Sequence, residues 1–392
     1  MAEFIKGLEL SRDFFLDIAK PILDRHYPDL EYSAGLIGYG SDVLGYDDEV
    51  SRDHMWGPRF YLFLKPEDAV KKQKIMDTFS ETLPYRYKGY SVNFSEPDPN
   101  DNGVRHAKFI DSGKVNPLIF IQTFEEFLIE RIGIADLSGL QPVDWLTFSE
   151  HRLLSLVSGT MFIDKLKVMD RISPLKYYPK DVKAYLIASN WNIIASEQAF
   201  VRRCGECGDE TGSVIICARI AERLMRLCFL YTDTYAPYSK WFGTAFDRLS
   251  AGGKSASLPS GREAADCGGV PQLSASQSFD SLLAGIRELI NSALHAPSLA
   301  RREDSLVRAQ AMAAAMHNAS GLTDYVDYEI ESYFGRNIKV IFADKFAQAM
   351  SEKLKGTAFE NIPLIGSLSQ VGGLSDISDD CRFQEKIRRL YE

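Results

Sequence analysis

Residues 38–64 read G-Y-G-S-D-V-L-G-Y-D-D-E-V-S-R-D-H-M-W-G-P-R-F-Y-L-F-L, and their reading decides the fold. An apolar run, Tyr32 to Ile37, leads into Gly38-Tyr39-Gly40-Ser41. A second run, Phe60 to Leu64, leaves the other end, so the stretch predicts a strand, a turn and loop, and a second strand. A Gly-Ser turn at a strand end presents free backbone N–H groups, which suits phosphate oxygens. Gly40 and Ser41 are therefore the candidates to hold the β- and γ-phosphates of a nucleotide. Asp53, entering the second strand, is placed to hold a hard cation such as Mg2+. Together they point to a nucleoside triphosphate site.

A Gly-Ser, a spacer and then Ser-x-Asp before a strand resembles the signature of the polymerase-beta-like nucleotidyltransferases. More closely, G-S-D-V-L-G-Y-D-D-E-V-S-R-D-H-M-W-G-P-R is similar to a family of unknown function placed in that superfamily. The likeness continues through P-V-D-W-L-T-F-S-E, Y-P-K-D-V, G-D-E-T-G-S, A-P-Y-S-K-W-F-G-T-A-F, H-N-A-S-G-L and Y-F-G-R-N-I-K-V-I, which together cover most of the chain. The resemblance implies transfer of a nucleoside monophosphate from an NTP to a hydroxyl or amine of a small-molecule or protein acceptor. Mg2+ or Mn2+ would be held by the catalytic Asp53, and pyrophosphate would leave. It also implies a helical domain closing over the nucleotide. Lys240 would then meet the triphosphate and Tyr238 or Trp241 would stack on the base.

One departure bears on activity. The superfamily uses two aspartates one residue apart, so that both leave one strand face. Position 55 here is Met, and Tyr90 to Ser95, where a third carboxylate is expected, offers only Asn93, with Glu96 just beyond. His54 and the acidic Asp47-Asp48-Glu49 are the nearest substitutes, although such an acidic run reads first as a solvated loop. Arg59 is a candidate phosphate contact or a strand-edge surface residue. Glu96 and Asp144 are the candidate general bases. The rival reading is a catalytically degenerate protein that binds nucleotide without turnover; a third is a purely structural or interaction module.

The chain has 392 residues, enough for two domains with cores of their own. Its formal net charge of −9 argues against a general nucleic-acid binder, which needs a basic surface. There is no 18-residue apolar run and no signal-peptide pattern at the start, so a cytoplasmic protein without membrane spans is expected. The six cysteines lack the spacing of a zinc site and are read as reduced thiols, Cys204 and Cys207 included.

The expected class is α+β: a nucleotidyltransferase-like mixed sheet with flanking helices over 1–135, then a mainly helical domain over 143–392. In the first domain, apolar spacing predicts a helix over 4–25, kinked or restarted at Pro21. A helix from Pro66 carries Ala69, Val70, Met76 and Phe79 inward. Strands are expected at Tyr90–Phe94 and Leu118–Ile121, and a helix at Phe124–Ile132. In the second, a Thr147/Glu150 capping box opens one helix and Pro179 precedes another. Gly205, Gly208 and Gly212 interrupt before a long apolar stripe. Residues 251–278 read as a mobile loop, followed by helices from Phe279 and from 299 to His317. A short strand over Asn337–Phe342 precedes a last helix closed by Gly356. Arg219, Arg223 and Arg226 share one helix face, with Glu222 beside them; a salt-bridged face is the simpler reading.

Overall fold

The computed structural model describes residues 4–52, 54–101, 103–251, 278–371 and 381–392. The chain divides into two compact units, and the division is not a single cut. The first unit comprises residues 1–140, 151–176 and 379–382; the second comprises 141–150, 177–378 and 383–392.

The first unit opens with α1 (Gly7–Phe14), a π-helical turn at Phe15–Ala19 and α2 (Lys20–His26). Pro21 follows closely on that π-helical turn inside one continuous helical run, and the wider π turn just before it accommodates a residue with no amide to donate. The change of pitch therefore precedes the proline. Then come β1 (Tyr32–Leu36) and β2 (Arg59–Leu64), buried at every position, as central strands covered on both faces are. Pro66–Lys71 is a 3₁₀ segment, not the start of an α-helix, and the tighter winding leaves Val70 86% exposed, contrary to the expected inward face. α3 (Lys72–Thr82) follows and does bury Phe79.

The strand expected over Tyr90–Phe94 is reduced to a two-residue hairpin, β3 (Arg86–Tyr87) with β4 (Tyr90–Ser91), plus an isolated bridge from Phe94 to Ala107. β5 (Leu118–Thr123) leads directly into α4 (Phe124–Ile132). A reciprocal cap makes that junction sharp: Thr123 Oγ1 accepts from the Glu126 amide and the Glu126 carboxylate accepts from the Thr123 amide.

A short helix of the second unit, α5 (Asp144–Thr147), interrupts before α6 (Glu150–Val157), β6 (Thr160–Asp164) and α7 (Val168–Ile172). The expected capping box is absent. Thr147 Oγ1 donates to the Asp144 carbonyl within α5.

The sheet runs β5-β2-β1-β6, with β2 parallel to β5 and β1 antiparallel to both β2 and β6, so it is mixed, as expected. Strand alternation gives it two different faces. Phe60 and Leu62 pack with Phe14, Phe15 and Phe79 from the helices. Tyr61 and Phe63 turn the other way and meet Phe120 of β5 and Phe127 of α4.

The second unit is mainly helical, again as expected. Its elements are α8 (Lys180–Glu197), α9 (Phe200–Glu206), α10 (Glu210–Tyr231), α11 (Ser239–Ser250), α12 (Phe279–Leu294) and α13 (Leu299–Ser320). A short ribbon, β7 (Glu331–Ser332) and β8 (Lys339–Val340), precedes α14 (Asp344–Leu354), α15 (Leu368–Val371) and α16 (Gln384–Arg388). Gly205 and Gly212 lie inside helices, and only Gly208 separates α9 from α10. Of the expected mobile loop, residues 252–277 lie outside the described residues.

A buried chain of polar groups ties four of these helices together. Trp191 of α8 stacks on Phe346 of α14 at 4.6 Å and donates its indole N–H to Tyr231 of α10 at 2.8 Å. The Tyr231 hydroxyl meets His317 Nδ1 of α13 at 3.0 Å, and His317 Nε2 meets Thr323 at 2.8 Å. Every polar member of this chain has a partner, which keeps its burial from being costly.

Candidate functional site

The Gly38–Ser41 turn leaves the end of β1 and is backed by two guanidinium groups. Arg59, the first residue of β2, donates from Nη2 to the Tyr39 carbonyl at 2.9 Å. Arg131, from α4, reaches the Gly38 carbonyl at 3.5 Å. Both lie against the Tyr39 ring, at 4.3 and 4.9 Å from its centroid. In a trans peptide the carbonyl and the next N–H point in opposite directions. The amides of Tyr39 and Gly40 therefore face away from the guanidinium pair. Among the described residues, the amides of Gly40, Ser41 and Asp42 donate to no carbonyl. The arrangement is a turn with amides that have no carbonyl partner and two ion-paired guanidinium groups behind it, a geometry that can accept an oxyanion.

Arg59 is not the surface phosphate ligand expected from sequence. Its side chain is 1% exposed and forks onto Asp42, Nε to Oδ2 at 3.1 Å and Nη2 to Oδ1 at 2.6 Å. Burial alone would lower the pKa of this guanidinium, but Asp42 and the neighbouring tyrosines outweigh it and hold the group charged. Its Nη1 has no partner, nor have the buried Tyr39 hydroxyl, Arg131 Nε and Gln122 Nε2. For Arg131 burial is again opposed, here by Tyr61 and Glu130. Burial raises the pKa of Tyr39. Each guanidinium thus has one carboxylate partner: Asp42 pairs with Arg59, and Glu130, half exposed, pairs with Arg131.

Gly40 is required at its position. Its φ is +111°, and a Cβ there would stand 2.2 Å from both Arg59 Nη2 and Asp42 Oδ1. The Ser41 hydroxyl donates to the Ser51 carbonyl at 3.0 Å, fastening the turn to the following loop.

Asp47 and Asp48, near the turn, have structural work. Asp47 is 1% exposed, not part of a solvated loop, and accepts from the Gly7 amide at 2.7 Å and from Trp56 Nε1 at 3.2 Å. Asp48 accepts from the amides of Ser51 and Val50, which lowers its pKa, Ser51 contributing most. Asn93 bridges the Asn116 amide and the Lys108 carbonyl, and Glu96 accepts from the Asn116 side chain. Asp53 lies outside the described residues. β2 begins only at Arg59, so the two-residue alternation argued from a strand does not apply to His54 and Met55. Met55 is in the left-handed region at φ +49°. His54 sits 3.6 Å from the Asp101 carboxylate, which His106 approaches at 3.5 Å.

For Mg2+, the described residues around the turn offer a poor donor set. Asp42 is neutralised by Arg59, Asp47 is closed in by the Gly7 amide, Trp56 Nε1 and the Lys6 ammonium, and no group of three His, Cys, Asp or Glu among the described residues is arranged to hold a metal ion.

In the second unit, Tyr238 immediately precedes α11, whose first turn carries Lys240 and Trp241, and the Lys240 ammonium lies 5.1 Å from the Trp241 ring. The three arginines of α10 are tied down: Arg219 to Glu197, Arg223 Nη2 to the Gln370 carbonyl at 2.9 Å, and Arg226 to Glu222 at 2.9 Å. From sequence Glu150 reads only as a helix-capping residue, and its burial was not foreseen. Its fully buried carboxylate accepts from Arg226 at 3.3 Å and from the Ala236 amide at 3.0 Å. Burial still raises its pKa against both partners. Tyr178 and Tyr235 pack at 4.8 Å, with Tyr177 5.0 Å from Tyr235. Asp144, a candidate base, is paired with Arg388. Arg131 and Asp42 were missed as well. Nothing local marks Arg131, since an arginine near a helix C-terminus is ordinary dipole chemistry.

A domain of unknown function, DUF4037, matches residues 145–242, about a quarter of the chain. That stretch carries Glu150, the tyrosine cluster, the arginines of α10 and the Tyr238–Trp241 corner. No curated protein and no solved structure matches the chain.

Proposed function

We propose that this is a nucleotidyltransferase-like protein that binds a nucleoside triphosphate by its phosphates at the Gly38–Ser41 turn and does not turn it over. The observation that carries the reading is the guanidinium pair behind the turn. Arg131 and Arg59 donate to the Gly38 and Tyr39 carbonyls, so the following amides face away from the guanidiniums, which Glu130 and Asp42 balance one each. The helix–strand–turn–strand–helix–strand order, with β1 antiparallel to β2 and β2 parallel to β5, supports the resemblance to nucleotidyltransferases. The state of the acidic residues favours binding over transfer. Nucleotidyl transfer needs carboxylates free to hold divalent cations at the α-phosphorus. Here Asp42 and Asp47 are closed by protein donors and position 55 is Met.

The test is a melting series with ATP, GTP, CTP and UTP, with and without Mg2+ or Mn2+, alongside a pyrophosphate-release assay. A ligand that binds only the folded state raises the melting temperature by mass action. The reading expects a rise without added metal and no pyrophosphate in any condition. Metal-dependent pyrophosphate release that disappears in Asp53→Ala would instead establish an active transferase, with the small acceptor still to be found. No rise with any nucleotide would reduce the turn to architecture.

A further inference from the structure

A cleft of about 430 Å3 opens in the first unit beside the loop that precedes β2. That size is within the range that encloses small organic ligands. Its wall is aromatic, made by Phe4, Trp56, Tyr90 and Phe109. Three of these rings are fixed before any ligand arrives. Trp56 stacks on Phe4 at 5.6 Å, meets Tyr90 edge-on at 5.2 Å and donates its indole N–H to the buried Asp47. The Tyr90 hydroxyl accepts from the Ile5 amide. Phe109, by contrast, is 56% exposed, with the Arg86 guanidinium over its ring. A large ring left in water at the edge of a rigid aromatic wall gains burial when a flat group enters the cleft.

Arg52 and Glu49 also line this cleft. Both are exposed, and among the described residues neither has an ion-pair partner, the other included. An anion seated there would meet the Glu49 charge and a cation would meet Arg52. A molecule carrying both charges satisfies the pair. We infer that the cleft binds a small aromatic zwitterion of the α-amino-acid class, its ring on the Trp56–Phe109 wall, its carboxylate on Arg52 and its ammonium on Glu49. The inference stands apart from the nucleotide reading, because none of the residues that form or back the Gly38–Ser41 turn lines the cleft.

The experiment is a ¹⁹F NMR titration of 4-fluoro-L-phenylalanine with the 392-residue chain, with competition by 3-phenylpropionate, 2-phenylethylamine and L-cyclohexylalanine. The amino acid should bind, and each singly charged analogue should compete about tenfold less well, as expected for loss of one charge-assisted contact. Cyclohexylalanine, which keeps both charges but not the flat ring, should also compete poorly. Arg52→Ala should erase the preference over 2-phenylethylamine, and Glu49→Gln the preference over 3-phenylpropionate. Both positions are at the surface, and circular dichroism checks that the variants keep the fold. The inference is overturned if no binding is seen at about 10 mM probe. It is equally overturned if the two variants bind the probe as the unmodified chain does.

Discussion

Replacing the buried Asp42 by Asn should cost the first unit several kcal/mol of stability, about 3–5. In the native state its carboxylate and the Arg59 guanidinium are each 1% exposed and share two hydrogen bonds. Asn keeps the size but removes the charge, so a guanidinium already lacking a partner at Nη1 is left buried and uncompensated. Breaking one side of such a pair costs about 3–5 kcal/mol. A Coulomb estimate at contact distance with an effective dielectric of about 20 gives the same order. For a unit of this size each kcal/mol moves the midpoint by about 2–4 °C, so a fall of roughly 6–20 °C is expected. Trp56 is the tryptophan of the first unit, while Trp145, Trp191 and Trp241 belong to the second, so thermal melts followed by fluorescence can assign the loss. Asp42→Leu with Arg59→Met, which removes both charges, should recover most of it, because a buried pair replaced whole is nearly neutral. A loss under about 1 kcal/mol in Asp42→Asn, or a double variant as unstable as the single, would refute the reasoning.

Gly40→Ala should lose about 2–3 kcal/mol in urea unfolding, because the added Cβ is strained at φ +111° and collides with both members of the Asp42–Arg59 pair. A neutral outcome would mean that the turn relaxes freely. For pH, burial lowers the pKa of His317 to about 4, from its ordinary 6.5. Between those values the unfolded state binds more protons, so this contribution is complete above about pH 6.5 and is lost as pH falls towards 4, about 3 kcal/mol in all. Glu150, with a raised pKa, acts in the opposite sense, so the His317 share is read from the difference between unmodified and His317→Gln pH profiles. A flat difference would remove His317 from the account. Among the described cysteines, mass mapping after brief native thiol labelling should find Cys207 modified. The buried Cys217, its pKa pushed up to about 11, and Cys228 should stay unlabelled until the chain unfolds.

Much of the architecture was legible because it rests on local pattern. The helix at Phe124–Ile132 is bounded by its own Thr, Glu and Gly, and α8 follows Pro179, so both were readable from a few residues. β6 was not. Thr160–Asp164 is half-buried and gains its identity only by pairing with β1, more than 120 residues earlier, a contact no local pattern encodes. Val70 was misread because an apolar position at helical spacing says nothing about a 3₁₀ turn. At the site, the Gly-Ser turn was visible in the sequence. The Arg59–Asp42 pair was not, since a strand-edge arginine and a loop aspartate 17 positions apart carry no signal of mutual burial. The same holds for Glu150, whose partners come from α10 and the segment after it.

The central claim is that the Gly38–Ser41 turn, with guanidinium charge behind it, binds nucleotide phosphates without a metal. Calorimetric titration of ATP into the chain in EDTA tests it directly, with Arg131→Gln in parallel. Saturable binding is predicted, about tenfold weaker in Arg131→Gln, where one guanidinium is removed from behind the turn. Absence of binding, or binding that Arg131→Gln leaves unchanged, would contradict it.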